Sequence, residues 1–198
     1  MTSAIEVMCG ERAGVTDEST RWSNVEDDDM RALITLLMLL AAIPARAALA
    51  IPASVEGLAR SSQAVVRGRV VKMTSRWSDD QRRIFSYVEV VVSSAWRGAP
   101  GSRVMIIVPG GVVGPYGQRV DGAPSFAKGE ETVVFLSEAE EGGFRVTGLA
   151  QGKFRVDQAA AVPDVSHTSF VEAPLRVGER RAEPMDVSEL ERRVRSVP

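Results

Sequence analysis

The chain has 198 residues, 24 basic against 26 acidic side chains, and 44% hydrophobic residues, enough for one domain with additional segments. Its balance is uneven: the first 29 residues carry −6 and the two arginines of residues 30–47 carry +2 of the whole −2, which leaves +2 from Ala48 onward. A charge that close to neutral, without zinc-finger or RNA-binding signatures, gives no case for nucleic acid as a partner.

Residues 32–43, ALITLLMLLAAI, are apolar except for Thr35. Arg31 precedes the run, Pro44 stops it, and Ala45-Arg46-Ala47 and Ala48-Leu49-Ala50 are small-x-small exits. These are the parts of a secretory signal peptide over 30–47, with cleavage after Ala47 or Ala50 and export to the periplasm or medium. The run is short for a membrane-spanning helix, so no integral segment is expected after cleavage. A buried core helix is the competing reading, and no polar face repeats at helical spacing to support it. Residues 1–29 do not fit a signal, because Glu26-Asp27-Asp28-Asp29 stands where positive charge belongs. They read as sequence upstream of a true start at Met30, or as a disordered acidic leader. The single cysteine, Cys9, lies there, so the exported part has no thiol chemistry and no disulfide framework.

Beyond the signal, Ser54 has the position of an N-cap for a short helix carrying Val55, Leu58 and Ala59. Ala64–Met73 alternates as a strand, with Gly68 marking a bulge or a close backbone approach. Thr74–Arg82 reads as a hairpin loop holding Trp77. Arg83–Trp96 is too long for a straight strand and predicts a curved one. Arg103–Val108 is apolar on both faces and predicts a covered strand. Pro109–Phe126, PGGVVGPYGQRVDGAPSF, is the longest irregular stretch between apolar runs. Strands follow over Thr132–Leu136, Phe144–Leu149 and Lys153–Asp157. Residues 158–198 read as an extended tail with an edge strand near Ser169–Glu172, ending in a short helix. That helix opens at Asp186, with Glu189 at capping-box spacing and arginines in its last turn. The sum predicts a mainly β fold: a small antiparallel OB-like barrel of five or six strands over 54–157, with a short helix at each end.

Few residues point to chemistry. His167 is the only histidine, and it stands in the proline-punctuated tail with no ligand-spaced carboxylates around it. There is no G-x-S-x-G and no H-E-x-x-H. Asp79-Asp80, Glu130-Glu131 and Glu140-Glu141 adjoin turns and read as solvated loop charge. Gly111, Gly114 and Gly117 do not have phosphate-loop spacing, and Pro115 and Pro124 oppose a helix start there. No catalytic residue, metal ligand or cofactor is assigned. The loop instead reads as an ordered connection, and loops of that length in compact domains are usually functional or disordered. Trp77, Tyr116, Gln118, Arg119 and Asp121 are its candidate binding residues.

AVVRGRVV (64–71), SRW (75–77), YVEVVVSSAWRG (87–98), GGVVGPYGQRVDGAPSF (110–126), KGEETVVFL (128–136) and GLAQGKFRV (148–156) carry a family resemblance. Residues 61–156 resemble an uncharacterised family of exported bacterial β-domain proteins, about half of the chain. More remotely, SSQAVVRGRVV and YVEVVVSSAWRG are similar to the opening strands of netrin-like OB modules, which include the tissue inhibitors of metalloproteinases. That resemblance implies a barrel. It does not bring the inhibitors' mechanism, since their N-terminal cysteine has no counterpart in the exported part. The function expected is a non-enzymatic binding module for a protein or cell-envelope partner. A protease inhibitor or companion, and a hydrolase with scattered carboxylates or His167, are the alternatives.

Overall fold

A computed structural model describes residues 49–140, 142–165, 168–170, 173 and 175–198. The signal peptide, the acidic leader, Cys9, Glu141 and His167 lie outside the described residues.

In chain order the strands are β1 (Leu49–Ala50), β2 (Ala64–Trp77), β3 (Ile84–Arg97), β4 (Arg103–Pro109), β5 (Gly111–Val113), β6 (Tyr116–Gln118), β7 (Glu131–Glu138), β8 (Phe144–Val146), β9 (Lys153–Asp157), β10 (Ala160–Pro163), β11 (Ser169–Phe170) and β12 (Met185–Asp186). The helices are α1 (Val55–Arg60) and α2 (Val187–Arg195), with a 3-10 turn at Leu149–Gly152.

β2, β3, β4, β8 and β7 close into a five-stranded barrel, β7 returning to β2. The mainly β barrel with a short helix towards each end is the expected fold. Its pairing is mixed rather than wholly antiparallel: β4 and β8 run parallel and meet at one register pair, Ile106↔Phe144. The parallel pair arises because the chain crosses the barrel end between β4 and β7, so that β8 reaches β4 from the β7 side.

β2 and β3 are each 14 residues long, and their ladder is bulged at three places. One register shift falls at Arg67/Gly68, and a side chain at Gly68 would run into the Val91 carbonyl. Bulges add twist, which lets so long a pair wrap a small barrel. The loop expected from Thr74 starts only at Ser78, because Thr74–Trp77 continue to pair with Ile84–Tyr87.

Alternation on β2 and β7 builds two cores. Val66, Val70, Val134 and Leu136 face into the barrel with Val88, Val90, Val104 and Ile106. Val65, Val133 and Phe135 face outward, where Phe154, α1 and α2 cover them. Ser54 caps α1 by accepting from the Gly57 amide at 2.9 Å. Asp186 caps α2 by accepting from the Ser188 amide at 2.7 Å, whereas Glu189 turns to Arg192 instead of closing a capping box. Leu190 and Val194 of α2 are buried in the outer core. β10 pairs with β9 and with β12, so residues after 157 supply part of this core, not a detached tail. The described residues form a single compact unit.

Candidate functional site

The segment between β4 and β7 is the most elaborate connection of the barrel. Its first half is a hairpin, β5 with β6, in which Val113 pairs with Tyr116 across Gly114-Pro115. Gly114 at φ +57° suits that turn. The hairpin lies beside the half of β2 that β7 does not reach. Gly111 sits so close to Ser75 and Ser86 that a β-carbon there would overlap both hydroxyls. The Ser86 hydroxyl donates to the Gly110 carbonyl at 2.8 Å and lies 2.9 Å from the Ser75 hydroxyl. The main chain of Ile84 is held from the same side: its amide donates to Gln118 Oε1 at 2.6 Å and its carbonyl accepts from the Gly110 amide at 2.8 Å.

This clamping brings two sequence-distant aromatics together. Trp77 ends β2 and Tyr116 begins β6, and their rings meet edge to face with centroids 5.8 Å apart. Tyr116 stays 61% exposed and Val112 69%, so the contact leaves an apolar tip in solvent. The neighbouring β2–β3 turn is hydrogen-bonded within itself, Ser78 and Arg83 bonding each other across it. Asp80 accepts from the Ser78 hydroxyl and the Arg82 amide, which hold its carboxyl below the usual range.

Behind the tip the loop roofs one mouth of the barrel. A groove of about 400 Å³ runs between it and the strands, with Val88, Val108 and Phe126 on its apolar side and Ser86, Gln118 and Arg119 on its polar side. Of the predicted site residues, Trp77 and Tyr116 touch, and Arg119 lines this groove. Gln118 is spent on the Ile84 amide, and Asp121 is exposed on the loop's return.

The return is pinned by a cluster that the sequence does not announce. Lys153 is 3% exposed, with its Nζ 2.6 Å from Glu130 Oε1, 3.5 Å from Asp164 Oδ2 and 4.9 Å from the Phe126 ring centroid. It also donates to the Ser125 carbonyl, while Asp164 accepts from the Ser125 amide at 2.9 Å and its hydroxyl at 2.7 Å. Glu130 is therefore not solvated loop charge as its turn position suggests. It is the counter-ion of a buried lysine, brought in because Lys153 opens the strand that pairs with Val134 of β7. Two more groups escaped the sequence reading: Arg76 lies over the Tyr87 ring at 4.1 Å and Arg83 over Phe85 at 5.7 Å, both on the outer face of β3.

Among the described residues no three His, Cys, Asp or Glu side chains are placed to hold a metal ion, and no helix is long and apolar enough to cross a membrane. Neither protein-family models nor curated protein sequences give a match to the chain.

Proposed function

We propose that the chain is an exported, non-enzymatic binding module, an OB-like barrel that holds a protein or cell-envelope partner at its Trp77–Tyr116 tip. The observation that carries this reading is the tip itself: two aromatics in contact, held by a hydrogen-bonded loop, with Tyr116 and Val112 left in solvent and Arg119 exposed on the same loop. Tryptophan, tyrosine and arginine are the side chains that most often dominate binding energy, and a rigid loop loses little entropy on binding. The strand order, closed by one parallel pair, supports the OB-like reading, and OB barrels bind through their loops and one barrel face. Export rests on the apolar run 32–43 with its Ala-x-Ala exits.

The test is capture from the culture fluid and envelope fraction of the producing cells, with the wild-type domain against Tyr116→Ala and Arg119→Ala. Loss of the same captured species by both variants is the expected result. Unchanged capture by both would remove the tip from consideration. N-terminal sequencing of the exported form should read from Ala48 or Ile51, and a mature chain retaining Thr2–Asp29 would refute a translation start at Met30.

A further inference from the structure

Three ionisable groups meet under the return of the crossing loop. Among the described residues Lys153 is the most buried ionisable side chain, 3% exposed, and its two carboxylate neighbours are largely covered as well, Glu130 at 9% and Asp164 at 17%. Ions held there have given up much of their solvation. An amide in the same place would carry no charge. The backbone sets the approach. The Asp164 amide donates to the Lys153 carbonyl at 3.0 Å, so the two residues stand side by side where the β9–β10 hairpin opens. Nζ lies 3.5 Å from Asp164 Oδ2, at the outer edge of the distance at which held groups are ready to react.

Each neighbour has a part to play in joining them. The Ser125 carbonyl accepts from Nζ, and Glu130 Oε1 lies 2.6 Å away, which leaves a tetrahedral position of the nitrogen for Asp164. Glu130 is oriented by the Ala127 amide, which donates to Oε2 at 2.8 Å; its Oε1 has no hydrogen bond of good geometry and is open to a proton. Asp164 Oδ2 accepts from the Ser125 amide at 2.9 Å and from its hydroxyl at 2.7 Å. Two donors aimed at one carboxyl oxygen stabilise negative charge that develops on it. The Phe126 ring covers the nitrogen, and a groove of about 360 Å³ beside the cluster gives a departing water its way out.

We infer that Lys153 and Asp164 join after folding in an intramolecular amide, Nζ to Cγ, with Glu130 as the proton carrier. The ammonium passes one proton to the Asp164 carboxylate. Nζ then attacks Cγ, and the charge that builds on Oδ2 is held by the Ser125 amide and hydroxyl. Glu130 takes a second proton from the nitrogen and gives it to Oδ1. The bond from Cγ to Oδ1 breaks, water leaves, and Oδ2 becomes the amide carbonyl. The nitrogen goes from three hydrogens to one, the water carries the other two, and Glu130 ends as it began. No oxidant, cofactor or second molecule enters the balance. The groups react once, so the product is a covalent staple across the open end of the hairpin and not a turnover activity. No residue of the Trp77–Tyr116 tip takes part.

The experiment is mass spectrometry of the purified, denatured chain, which should weigh one water less than its sequence. Trypsin should fail to cut after Lys153, and peptide 146–155 should be recovered joined to peptide 156–176. Lys153→Arg and Asp164→Ala should each have the full sequence mass. Asp164→Asn should lose ammonia where the wild type loses water. Glu130→Gln should gain the link at least about a hundredfold more slowly than the wild type, the usual scale of a lost acid–base group. Far-ultraviolet circular dichroism checks that each variant is folded, and the wild-type mass decides the matter even if one is not. A wild-type chain of full mass, cut normally after Lys153, would overturn the inference. So would a loss of water that persists in Lys153→Arg, which would place the dehydration elsewhere. Linkage as rapid in Glu130→Gln as in the wild type would overturn the role of Glu130.

Discussion

The indole of Trp77 and the phenol of Tyr116 stand at 66° with centroids 5.8 Å apart, joining the end of the longest hairpin to the start of the crossing loop. Neither ring belongs to either hydrophobic core. Their contact orders the surface they present instead of supporting the barrel.

Tyr116→Ala should therefore cost little stability. An edge-to-face pair is worth about 0.5–1.5 kcal/mol beyond its buried area, and urea unfolding should show a loss within that range. Near-ultraviolet circular dichroism should change clearly, because Trp77 loses its fixed neighbour. A loss of cooperative unfolding would mean that the tip supports the fold after all.

Two glycines of the same loop should respond differently to alanine. At Gly111 a side chain meets both Ser75 and Ser86 at φ +141°, whereas at Gly114 nothing lies within 4 Å at φ +57°. Gly114→Ala carries only the left-handed penalty, about 1–2 kcal/mol. Gly111→Ala adds a steric clash on top of backbone strain and should cost more, with the melting temperature falling further in a side-by-side thermal scan.

Lys153→Met should be among the most destabilising single changes. It strands the Glu130 carboxylate, only 9% exposed, without its cation. Removing one partner of a buried pair costs about 3–5 kcal/mol, and replacing both by apolar groups costs less. The double variant Lys153→Met/Glu130→Leu should thus be more stable than Lys153→Met alone in urea titrations.

The helix contact between α1 and α2 should make the domain acid-sensitive. Arg193 donates to both carboxylate oxygens of Glu56, at 2.7 and 2.8 Å, and this hydrogen bonding outweighs burial in holding the Glu56 carboxyl below its usual 4.5. Glu179, bonded by the Ser54 hydroxyl and then Arg60, and Asp186, bonded at the α2 cap, move the same way. A carboxyl with a lowered folded pKa stabilises fully above its unfolded value and loses that contribution as pH falls through the folded one. Unfolding midpoints should hold above about pH 5 and drop below pH 4.5. Glu56→Gln should flatten part of the drop, by about 1 kcal/mol for a partly exposed pair.

The barrel was legible because its signal is local. Alternation in AVVRGRVV and VVFL, glycine turns, and caps at Ser54 and Asp186 each name an element without reference to the rest of the chain. The β5–β6 hairpin was not, since its three-residue strands hold too few residues for a period to show and are fixed by Ser86 and Ile84 from another element. Trp77 and Tyr116 were both singled out, but their contact depends on that tertiary clamp. Lys153 was illegible for the opposite reason: a lysine beside glycine at a strand start looks solvent-facing, and only pairing with β7 brings it over Glu130. Strand β10 was missed because Ala160–Pro163 is short, alanine-rich and ends in proline, and its edge position makes that proline acceptable.

Strand β7 is the common wall of both hydrophobic cores, Val133 and Phe135 on one side and Val134 and Leu136 on the other. A slip of one residue would exchange the two sets, so neither core can melt while the other keeps its register. The helical layer and the barrel should then lose structure in one calorimetric transition, with the van't Hoff and calorimetric enthalpies equal. A partner pulling on the tip would work against the whole domain at once, which makes the module a stiff grip and not a yielding one.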